Sequence, residues 1–258
     1  MIDCKKYADE ILDSITGYGH LAVISVGNDP ASQSYIKGKK KDCERVGFGF
    51  THVQFPEDVS EKEVVDAIWE LNYNKDVTGI IVQLPLPEHL VADEICRHIR
   101  VTKDVDGFLP WSLYKPCTPE GIVYLLKKEL GELTGKYAVI IGRGKLVGKP
   151  LAKMLLAEDM TVSVCHSKTP FETINRMSWN ADAIIVAVGS QESFSFNWLK
   201  ENTVVVDCGI HRKEDGKLCG DVSYAGTDRI TPVPGGVGLL TRAMLMKHVE
   251  RERTDENT

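Results

Sequence analysis

Four polar side chains in the first half of the chain are of types that could carry acid–base chemistry. Tyr35 and Lys39 lie four residues apart in a segment with helical periodicity, so they share one helix face. Gln83 interrupts the apolar run GIIVQL, where a buried amide needs a hydrogen-bonding partner. Asp106 belongs to a DVDG turn. A lysine beside a tyrosine hydroxyl in a partly dry site can have its pKa lowered enough to act as a base.

Each of these residues also has a purely structural interpretation. Tyr35 is compatible with a core position, and Lys39 with the solvated face of a lysine-rich helix. Gln83 could be a polar residue of an edge strand, and Asp106 could simply form its turn. The catalytic hypothesis therefore depends on a fold that brings the four side chains together.

A second group of residues has the pattern of a nucleotide-binding turn. Residues 142–148 read GRGKLVG, between a predicted strand at 137–141 and a helical segment. A strand, a glycine turn and a helix N-terminus together present backbone N–H groups to a pyrophosphate, although this glycine spacing is one residue longer than the common pattern. The next predicted strand ends in CHSKT, residues 165–169, without the carboxylate usual in NAD sites. That absence and Arg143 favour NADP, unless Ser167 merely caps the following helix.

The segment TPVPGGVG, residues 231–238, is unusually rich in proline and glycine. Proline restricts the backbone, while glycine lets another molecule approach it closely. We therefore expect a rigid loop that lies against a ligand.

Apolar runs alternate with helical patterns along the whole chain. Strands are predicted at residues 21–26, 52–55, 79–84, 137–141, 161–165, 183–188 and 203–207. Helices are predicted at residues 32–46, from a capping box at 60–63, at 92–99, at 118–130 with Thr118 as N-cap, and at 240–250. Strands dense in valine and isoleucine suit parallel sheets covered on both faces. The expected fold is two α/β domains joined near Cys117, the second with a parallel sheet of Rossmann type.

Composition limits the possible partners and the cellular compartment. The chain has 258 residues, of which 43% are hydrophobic, enough for one large core or two smaller ones. A net charge of −6 argues against nucleic acid as the main partner. No apolar run approaches the roughly 18–20 residues of a membrane span. The seven cysteines are scattered, without a metal-ligand spacing, so we expect reduced thiols in the cytoplasm and no metal site.

Taken in order, the motifs resemble the bifunctional methylenetetrahydrofolate dehydrogenase/methenyltetrahydrofolate cyclohydrolase family. The resemblance covers nearly the whole chain. Its motifs are ASQSY followed by Lys39, VQLPLP, KDVDGF, PCTPEG, GRGKLVGKP, CHSKT, VDCGI, GDV and TPVPGGVG.

This resemblance implies an enzyme that oxidises 5,10-methylenetetrahydrofolate with NADP and hydrolyses the product to 10-formyltetrahydrofolate. Lys39 would be the catalytic lysine, Tyr35 would stack on the folate, Gln83 would orient Lys39, and Asp106 would hold the pterin. The TPVPGGVG loop would separate nicotinamide from folate and contact the substrate through three residues: Pro234, Gly235 and Gly236.

The resemblance also implies the cofactor site and the domain organisation. Cofactor-binding residues would be Gly142, Arg143, Gly144, Ser167 and Ile210. A folate-binding catalytic domain, residues 1–116 plus 240–258, would face an NADP-binding domain, residues 117–239, across a cleft. The partners would be tetrahydrofolate derivatives and a second copy of the chain in a homodimer, with neither nucleic acid nor membrane.

Three features depart from the family pattern. Relatives usually have serine at the position of Gly144, so one hydroxyl expected near a 2′-phosphate is absent, which keeps NAD possible. Leu239 follows the TPVPGGVG loop where a proline is usual. The segment before residue 21 is short for the family. None of these departures removes a proposed catalytic residue.

Three alternatives remain open at this point. The chain could be an NAD-dependent or monofunctional dehydrogenase of the same family. It could be another two-domain dehydrogenase, such as the shikimate type, although the Tyr35–Lys39 spacing with VQLPLP argues against it. It could also be a non-catalytic folate or cofactor sensor, which the presence of Lys39 and Asp106 disfavours.

Overall fold

The computed structural model describes residues 1–252, which form an alternating α/β chain. The helices are α1 (Cys4–Asp13), α2 (Pro30–Val46), α3 (Glu61–Tyr73), α4 (Ala92–Cys96), α5 (Cys117–Leu130), α6 (Gly148–Ala157), α7 (Phe171–Ser178) and α8 (Val237–Val249). The longer strands are β1 (His20–Val26), β2 (Gly49–Phe55), β3 (Gly79–Val82), β4 (Tyr137–Ile141), β5 (Thr161–Cys165), β6 (Ala183–Val186) and β8 (Val204–Asp207). Shorter strands are β7 (Phe194–Ser195), β9 (His211–Arg212), β10 (Leu218–Cys219) and β11 (Val222–Tyr224).

The chain divides into two compact units, each named here by its main sheet. The three-stranded unit comprises Asp9–Cys117 together with the described residues from Arg242 onward, and the four-stranded unit comprises Met1–Ala8 and Thr118–Thr241. Residues 253–258 of the predicted folate domain lie outside the described residues.

In the three-stranded unit the sheet is parallel, in the order β2-β1-β3. Its central strand is buried almost throughout, with Leu21, Ala22, Val23 and Ile24 inaccessible to solvent. Helix α2 follows this strand and begins at a defined cap, where the Asp29 carboxylate accepts a hydrogen bond from the Ser32 N–H at 2.7 Å. It ends at Gly47, which has the left-handed conformation with φ 74°. These two signals set where α2 begins and ends.

The four-stranded unit has a parallel sheet in the order β5-β4-β6-β8. After β4 the chain adds β5 on one side and then β6 on the other. The carboxyl end of β4 is therefore a topological switch point, where open parallel sheets bind ligands. The core of this unit contains Val139, Ile141, Ile184, Val186 and Val205, all at most 1% exposed.

The structure confirms the two α/β units and the parallel sheets, and β4 and β5 match their predicted bounds to the residue. The capping box is also confirmed, since the Ser60 and Glu63 side chains bond reciprocally to backbone N–H groups. The N-cap assigned to Thr118 is wrong, because α5 already begins at Cys117. The Thr118 hydroxyl instead lies 2.9 Å from the Thr241 hydroxyl.

Helix α1 was not predicted, and no bounds were predicted for the helix that follows CHSKT. In α1 the buried residues Cys4, Ala8, Ile11 and Leu12 follow helical spacing, a signal diluted by the charged residues around them. Helix α7 spans only eight residues and follows Pro170 without a side-chain cap. Among the described residues, no helix is both long and apolar enough to cross a membrane.

Candidate active site

Lys39 and Gln83 meet directly in the three-stranded unit. Helix α2 carries Lys39, and Gln83 follows β3 at the carboxyl end of the strand next to β1. The Lys39 ammonium Nζ donates a hydrogen bond to Gln83 Oε1 at 2.8 Å, and Gln83 Nε2 donates to the Leu84 carbonyl at 2.8 Å. Because the Gln83 amide is held at both ends, it fixes the Lys39 side chain in one direction.

The protein environment shifts the protonation equilibrium of Lys39 toward the neutral amine. Burial of the ammonium lowers its pKa, since desolvation disfavours the charged form. Arg242 acts in the same direction as a neighbouring cation, whereas Asp106 and Cys117 act against it. Lys39 is therefore a group whose surroundings suit a proton acceptor.

The DVDG turn contains two carboxylates with different surroundings. Asp104 is 1% exposed and accepts hydrogen bonds from the N–H groups of Phe108 at 3.2 Å and Leu109 at 3.0 Å. Burial raises the pKa of the Asp104 carboxyl. Asp106 is half-buried and raises the pKa of Lys39 through its charge. Asp104 thus stabilises the turn through its hydrogen bonds, whereas Asp106 acts on Lys39 through its charge.

Gly107 completes this turn and cannot be replaced without strain. Its φ of 65° lies in the left-handed region, and an added Cβ would lie 2.5 Å from the Lys115 carbonyl. This close approach fixes the position of Asp106, one residue earlier.

Tyr35 lies one helical turn before Lys39 on α2 and is half-buried. Desolvation raises the pKa of its phenol, partly offset by the charge of Arg242. The structure places Tyr35, Lys39, Gln83 and Asp106 in the three-stranded unit, with Lys39 and Gln83 in direct contact.

In the four-stranded unit, the glycine turn lies at the switch point after β4. Gly142 has φ 122°, and a Cβ there would overlap the Ala187 carbonyl oxygen. A Cβ at Gly148 would overlap the Gly142 carbonyl oxygen. Gly144 is different, because a Cβ there would meet nothing within 4 Å. Two of the three glycines are thus required by close packing, and the third borders open space.

Helix α6 begins at this turn without a side-chain cap. Its N-cap residue is Val147, whose side chain makes no capping hydrogen bond. Uncapped N–H groups at a helix N-terminus attract anions. Arg143 and Gly144 are exposed beside it. The switch point, the uncapped helix and the close-packed glycines together have the features of a phosphate-binding turn.

The segment CHSKT forms a tight turn at the carboxyl end of β5, the strand beside β4. The His166 N–H donates to Thr169 Oγ1 at 3.0 Å, and the Thr169 N–H donates to the His166 carbonyl at 2.7 Å. Ser167 is exposed at the tip of this turn. It does not cap α7, because that helix begins at Phe171 and has Pro170 at its N-cap.

Asp207 and Asp221 form a buried carboxylate pair that sequence reasoning did not identify. Asp207 accepts hydrogen bonds from the N–H groups of Gly209, Asp221 and Val222, each at 2.9 Å. Asp221, with no exposed surface, accepts bonds from the N–H groups of residues 188, 189 and 190 at 2.8–3.0 Å and lies 2.7 Å from His211 Nε2.

The pair explains the glycines in the motifs VDCGI and GDV. A Cβ at Gly209 would overlap Asp221, and a Cβ at Gly220 would overlap the Asp207 carboxylate. The carboxylates therefore tie the loops after β6 and β8 together, which positions the half-exposed Ile210. The sequence signal was two acidic residues close to glycines, Asp207 two residues before Gly209 and Asp221 directly after Gly220.

The TPVPGGVG loop is anchored at its first residue and exposed at its tip. The buried Thr231 hydroxyl accepts a hydrogen bond from the Asp207 N–H at 2.9 Å. Pro234 and Gly235 are exposed, and Gly235 has φ 93°. Gly236 is buried, and a Cβ there would overlap the Pro232 carbonyl oxygen. Helix α8 follows, and the Leu239 N–H donates to the Gly236 carbonyl at 3.0 Å, a bond that proline could not make.

Comparison with known proteins shows the family of this chain. The model of the tetrahydrofolate dehydrogenase/cyclohydrolase catalytic domain matches residues 2–106, and the model of the NAD(P)-binding domain of the same family matches residues 116–256. The chain belongs to the tetrahydrofolate dehydrogenase/cyclohydrolase family. The two matched segments contain, respectively, the Lys39 site and the glycine turn.

Individual members of this family are similar over almost the whole chain. The "Bifunctional protein FolD" of Lachnoclostridium phytofermentans is 43% identical, covering 96% of this chain and 95% of the relative. The crystal structure of the bifunctional FolD enzyme of Campylobacter jejuni is 41% identical, with a TM-score of 0.86 and coverage of 96% and 95%. The Trypanosoma brucei enzyme, solved with NADP cofactor and inhibitor, is 31% identical, with a TM-score of 0.86 and coverage of 96% and 95%.

Within the described residues, no group of three or more His, Cys, Asp or Glu side chains is arranged to hold a metal ion.

Proposed function

We propose that this protein oxidises 5,10-methylenetetrahydrofolate to 5,10-methenyltetrahydrofolate with NADP and hydrolyses that product to 10-formyltetrahydrofolate. The observation that carries the proposal is the 2.8 Å hydrogen bond from the pKa-depressed Lys39 to Gln83, in a chain of this family. A non-catalytic sensor would have no need for a desolvated lysine held by an amide.

Lys39 is the group best suited to the hydrolytic step. Hydrolysis adds water to the methenyl carbon, and the attacking water must lose a proton. Neutral Lys39 accepts that proton, while the Gln83 amide keeps the amine aimed at the substrate. The proton then passes to the ring nitrogen as its bond to the formyl carbon breaks, which regenerates the neutral lysine. The remaining hydroxyl proton of the adduct is released to water as the formyl C=O forms, so hydrolysis of the cationic methenyl substrate releases one proton overall.

The oxidative step needs orientation more than a strong base. Loss of hydride from the methylene bridge leaves a delocalised cation, so the reacting groups must be held face to face. We assign Tyr35 to stacking on the folate and Asp106 to hydrogen bonding with the pterin. Three residues at the tip of the TPVPGGVG loop contact the substrate in this proposal: Pro234, Gly235 and Gly236.

The turn after β4 fits a dinucleotide, because α6 begins there without a side-chain cap and Gly144 borders open space, while Gly142 and Gly148 permit the close backbone packing of the turn. We assign cofactor binding to Gly142, Arg143, Gly144, Ser167 and Ile210. When bound, NADP supplies the hydride acceptor. Arg143 and Ser167 are both exposed, so their side chains are accessible to a 2′-phosphate. NAD remains the alternative, since Gly144 offers no hydroxyl.

The test is to mix the protein with methylenetetrahydrofolate and either NADP or NAD, and to follow absorbance of the methenyl product. We expect product formation with NADP at a higher kcat/KM than with NAD. A second assay starts from methenyltetrahydrofolate without cofactor and follows its loss. Lack of reaction with both cofactors would contradict the dehydrogenase assignment, and an uncatalysed rate in the second assay would contradict the cyclohydrolase assignment.

We also propose that the protein is a homodimer formed through the four-stranded unit. Three aromatic residues of that unit are largely exposed: Phe171 at 55%, Trp179 at 58% and Trp198 at 75%. They line a pocket of about 360 Å³ that also includes Phe196. An exposed aromatic cluster of this kind is typical of a protein interface. Sedimentation of wild type and Trp198→Asp checks it, because the variant should shift toward monomer.

A cytoplasmic location completes the proposal. No disulfide links any of the seven cysteines, all of which are in the described part of the chain. Burial raises the pKa of the Cys4 and Cys43 thiols to about 12, so both stay protonated and unreactive. We assign folate binding to the domain of residues 1–116 plus 240–258 and NADP binding to the domain of residues 117–239.

A further inference from the structure

Arg242, in helix α8, lies against α2 at the residue beside Lys39. A Cβ added to Gly38 would overlap the Arg242 guanidinium. Glycine is among the least favourable residues inside a helix, and here it occupies the middle of α2. The guanidinium occupies the space that any other side chain at position 38 would take.

Asp42 holds the guanidinium in this position. Arg242 Nε lies 2.8 Å from Asp42 Oδ2, and the two side chains are only 24% and 12% exposed. Burial raises the pKa of the Asp42 carboxyl, while Arg242 and Arg45 act to lower it. Replacing such a pair by apolar residues is often neutral or stabilising, so stability alone does not explain its presence.

The pair shares a helix face with the catalytic side chains. Positions 35, 38, 39 and 42 are spaced three, four and seven residues from Tyr35, the spacing of one α-helical face. Arg242 therefore lies on the same side of α2 as Tyr35 and Lys39. The charged and titratable groups that act on Lys39 are Asp106, Cys117, Arg242 and Cys43. Of these, Arg242 is the cation, and it acts in the same direction as burial.

We propose that Arg242, held by Asp42 in the space left by Gly38, is a positioning residue for Lys39 that keeps the amine in its uncharged, proton-accepting form. This inference rests on the role proposed for Lys39 in hydrolysis. It assigns to Gly38, Asp42 and Arg242 a function that neither the local sequence pattern nor helix propensity indicates.

The decisive measurement is the pH dependence of kcat/KM for hydrolysis of methenyltetrahydrofolate, after subtraction of the uncatalysed rate. Activity rises as Lys39 loses its proton. In Arg242→Met the neighbouring cation is gone and Asp42 is unpaired, and both changes favour the ammonium form of Lys39. We therefore expect the midpoint of the rising limb to move up by roughly 0.5–1 pH unit.

Gly38→Ala provides an independent way to move the guanidinium without deleting it. Alanine favours the helix, but its methyl group displaces the end of the flexible Arg242 side chain. We expect the same upward shift of the midpoint as in Arg242→Met. In the Arg242→Met background, Gly38→Ala should cause no further shift, because nothing is left to displace. This non-additivity distinguishes positioning from a general effect on folding.

Two further variants keep the test interpretable. If Arg242→Met folds poorly because Asp42 is left unpaired, the double variant Asp42→Ala/Arg242→Met removes both charges and should still show the upward shift. Arg97→Met is the matched control, because Arg97 forms an exposed ion pair with Glu94 in the same unit. Its pH profile should equal that of the wild type.

An unchanged midpoint in both Arg242→Met and Gly38→Ala would overturn the inference. A raised KM without a midpoint shift would also overturn it, because Arg242 would then bind substrate directly. Lys39→Met distinguishes a failure of the role proposed for Arg242 from a failure of the role proposed for Lys39. If that variant lacks hydrolysis while the midpoints stay fixed, only the role of Arg242 fails. If it hydrolyses normally, the role of Lys39 itself fails.

Discussion

The two units of this protein differ in how many hydrogen-bonding partners they give to a desolvated charged group. In the four-stranded unit, Asp221 has no exposed surface, and its two oxygens accept three backbone N–H bonds and contact His211. In the three-stranded unit, the Lys39 ammonium has three donors, yet among the described residues it makes one hydrogen bond, to Gln83. One charge is saturated with partners and the other is not.

This difference separates a structural role from a chemical one. Four partners hold the Asp221 carboxylate in one orientation, so Asp221 ties loops together. A desolvated amine with one partner has a lowered pKa and can exchange a proton with a bound molecule. The number of hydrogen-bonding partners therefore distinguishes a structural role from a chemical one better than burial of the charged group alone.

The largest effect expected from this comparison is that of Lys39→Met on catalysis. Removing the proton acceptor should reduce hydrolysis of methenyltetrahydrofolate by about 10²–10⁴-fold. Dehydrogenase activity should fall no more than hydrolysis, because hydride loss needs orientation rather than a base. Steady-state kinetics of both reactions measure this. Lys41→Met, an exposed position on the same helix, is the control and should leave both rates within twofold of wild type.

Asp221→Ala should have the next largest effect, on stability instead of mechanism. It leaves the part-buried N–H groups of residues 188–190, in the loop after β6, without their acceptor, at a cost of about 1–3 kcal/mol in the free energy of unfolding. Urea unfolding followed by circular dichroism measures this loss. Asp215→Ala is the matched control, since Asp215 is an exposed turn residue whose loss should cost less than about 1 kcal/mol. Equal losses of unfolding free energy in Asp221→Ala and Asp215→Ala would contradict the structural role assigned to the buried Asp221.

A smaller effect concerns the pH dependence of stability. The pKa of Lys39 is lowered in the folded protein from 10.5. Between the folded value and 10.5 the unfolded chain binds the extra proton, so wild-type stability increases with pH in that window, by up to about 1.4 kcal/mol per pH unit. Lys39→Met lacks this contribution. The wild-type free energy of unfolding should therefore rise relative to that of the variant as pH increases toward 10.5. Parallel curves for the two proteins would show that burial does not perturb Lys39.

The smallest effect on stability is expected at Gly144. Because a Cβ there meets nothing within 4 Å, Gly144→Ser should change the free energy of unfolding by less than about 0.5 kcal/mol. Its hydroxyl should raise the preference for NADP over NAD by roughly two- to tenfold. Gly142→Ser is the contrast, because its Cβ would overlap the Ala187 carbonyl and its φ is 122°. It should lose both stability and cofactor binding.

Much of the fold was predictable because the signals are local. Strand β4 is an apolar run between Lys136 and Gly142, and the predicted limits of β4 and β5 match the structure to the residue. The Ser60–Glu63 capping box is complete within four residues. In contrast, α1 was missed because its four apolar positions are interspersed with charged residues.

The sequence determined which side chains are available for chemistry: Tyr35 and Lys39 on one helix face, Gln83 in an apolar strand, and three glycines after β4. Only the tertiary structure decided how each is used. It brought Gln83 to Lys39 across 44 residues of chain, Asp221 to Asp207 across 14, and Arg242 to Gly38 from the opposite end of the sequence. Desolvation, hydrogen-bond saturation and steric overlap depend on neighbours distant in the chain, so local residue patterns do not encode them.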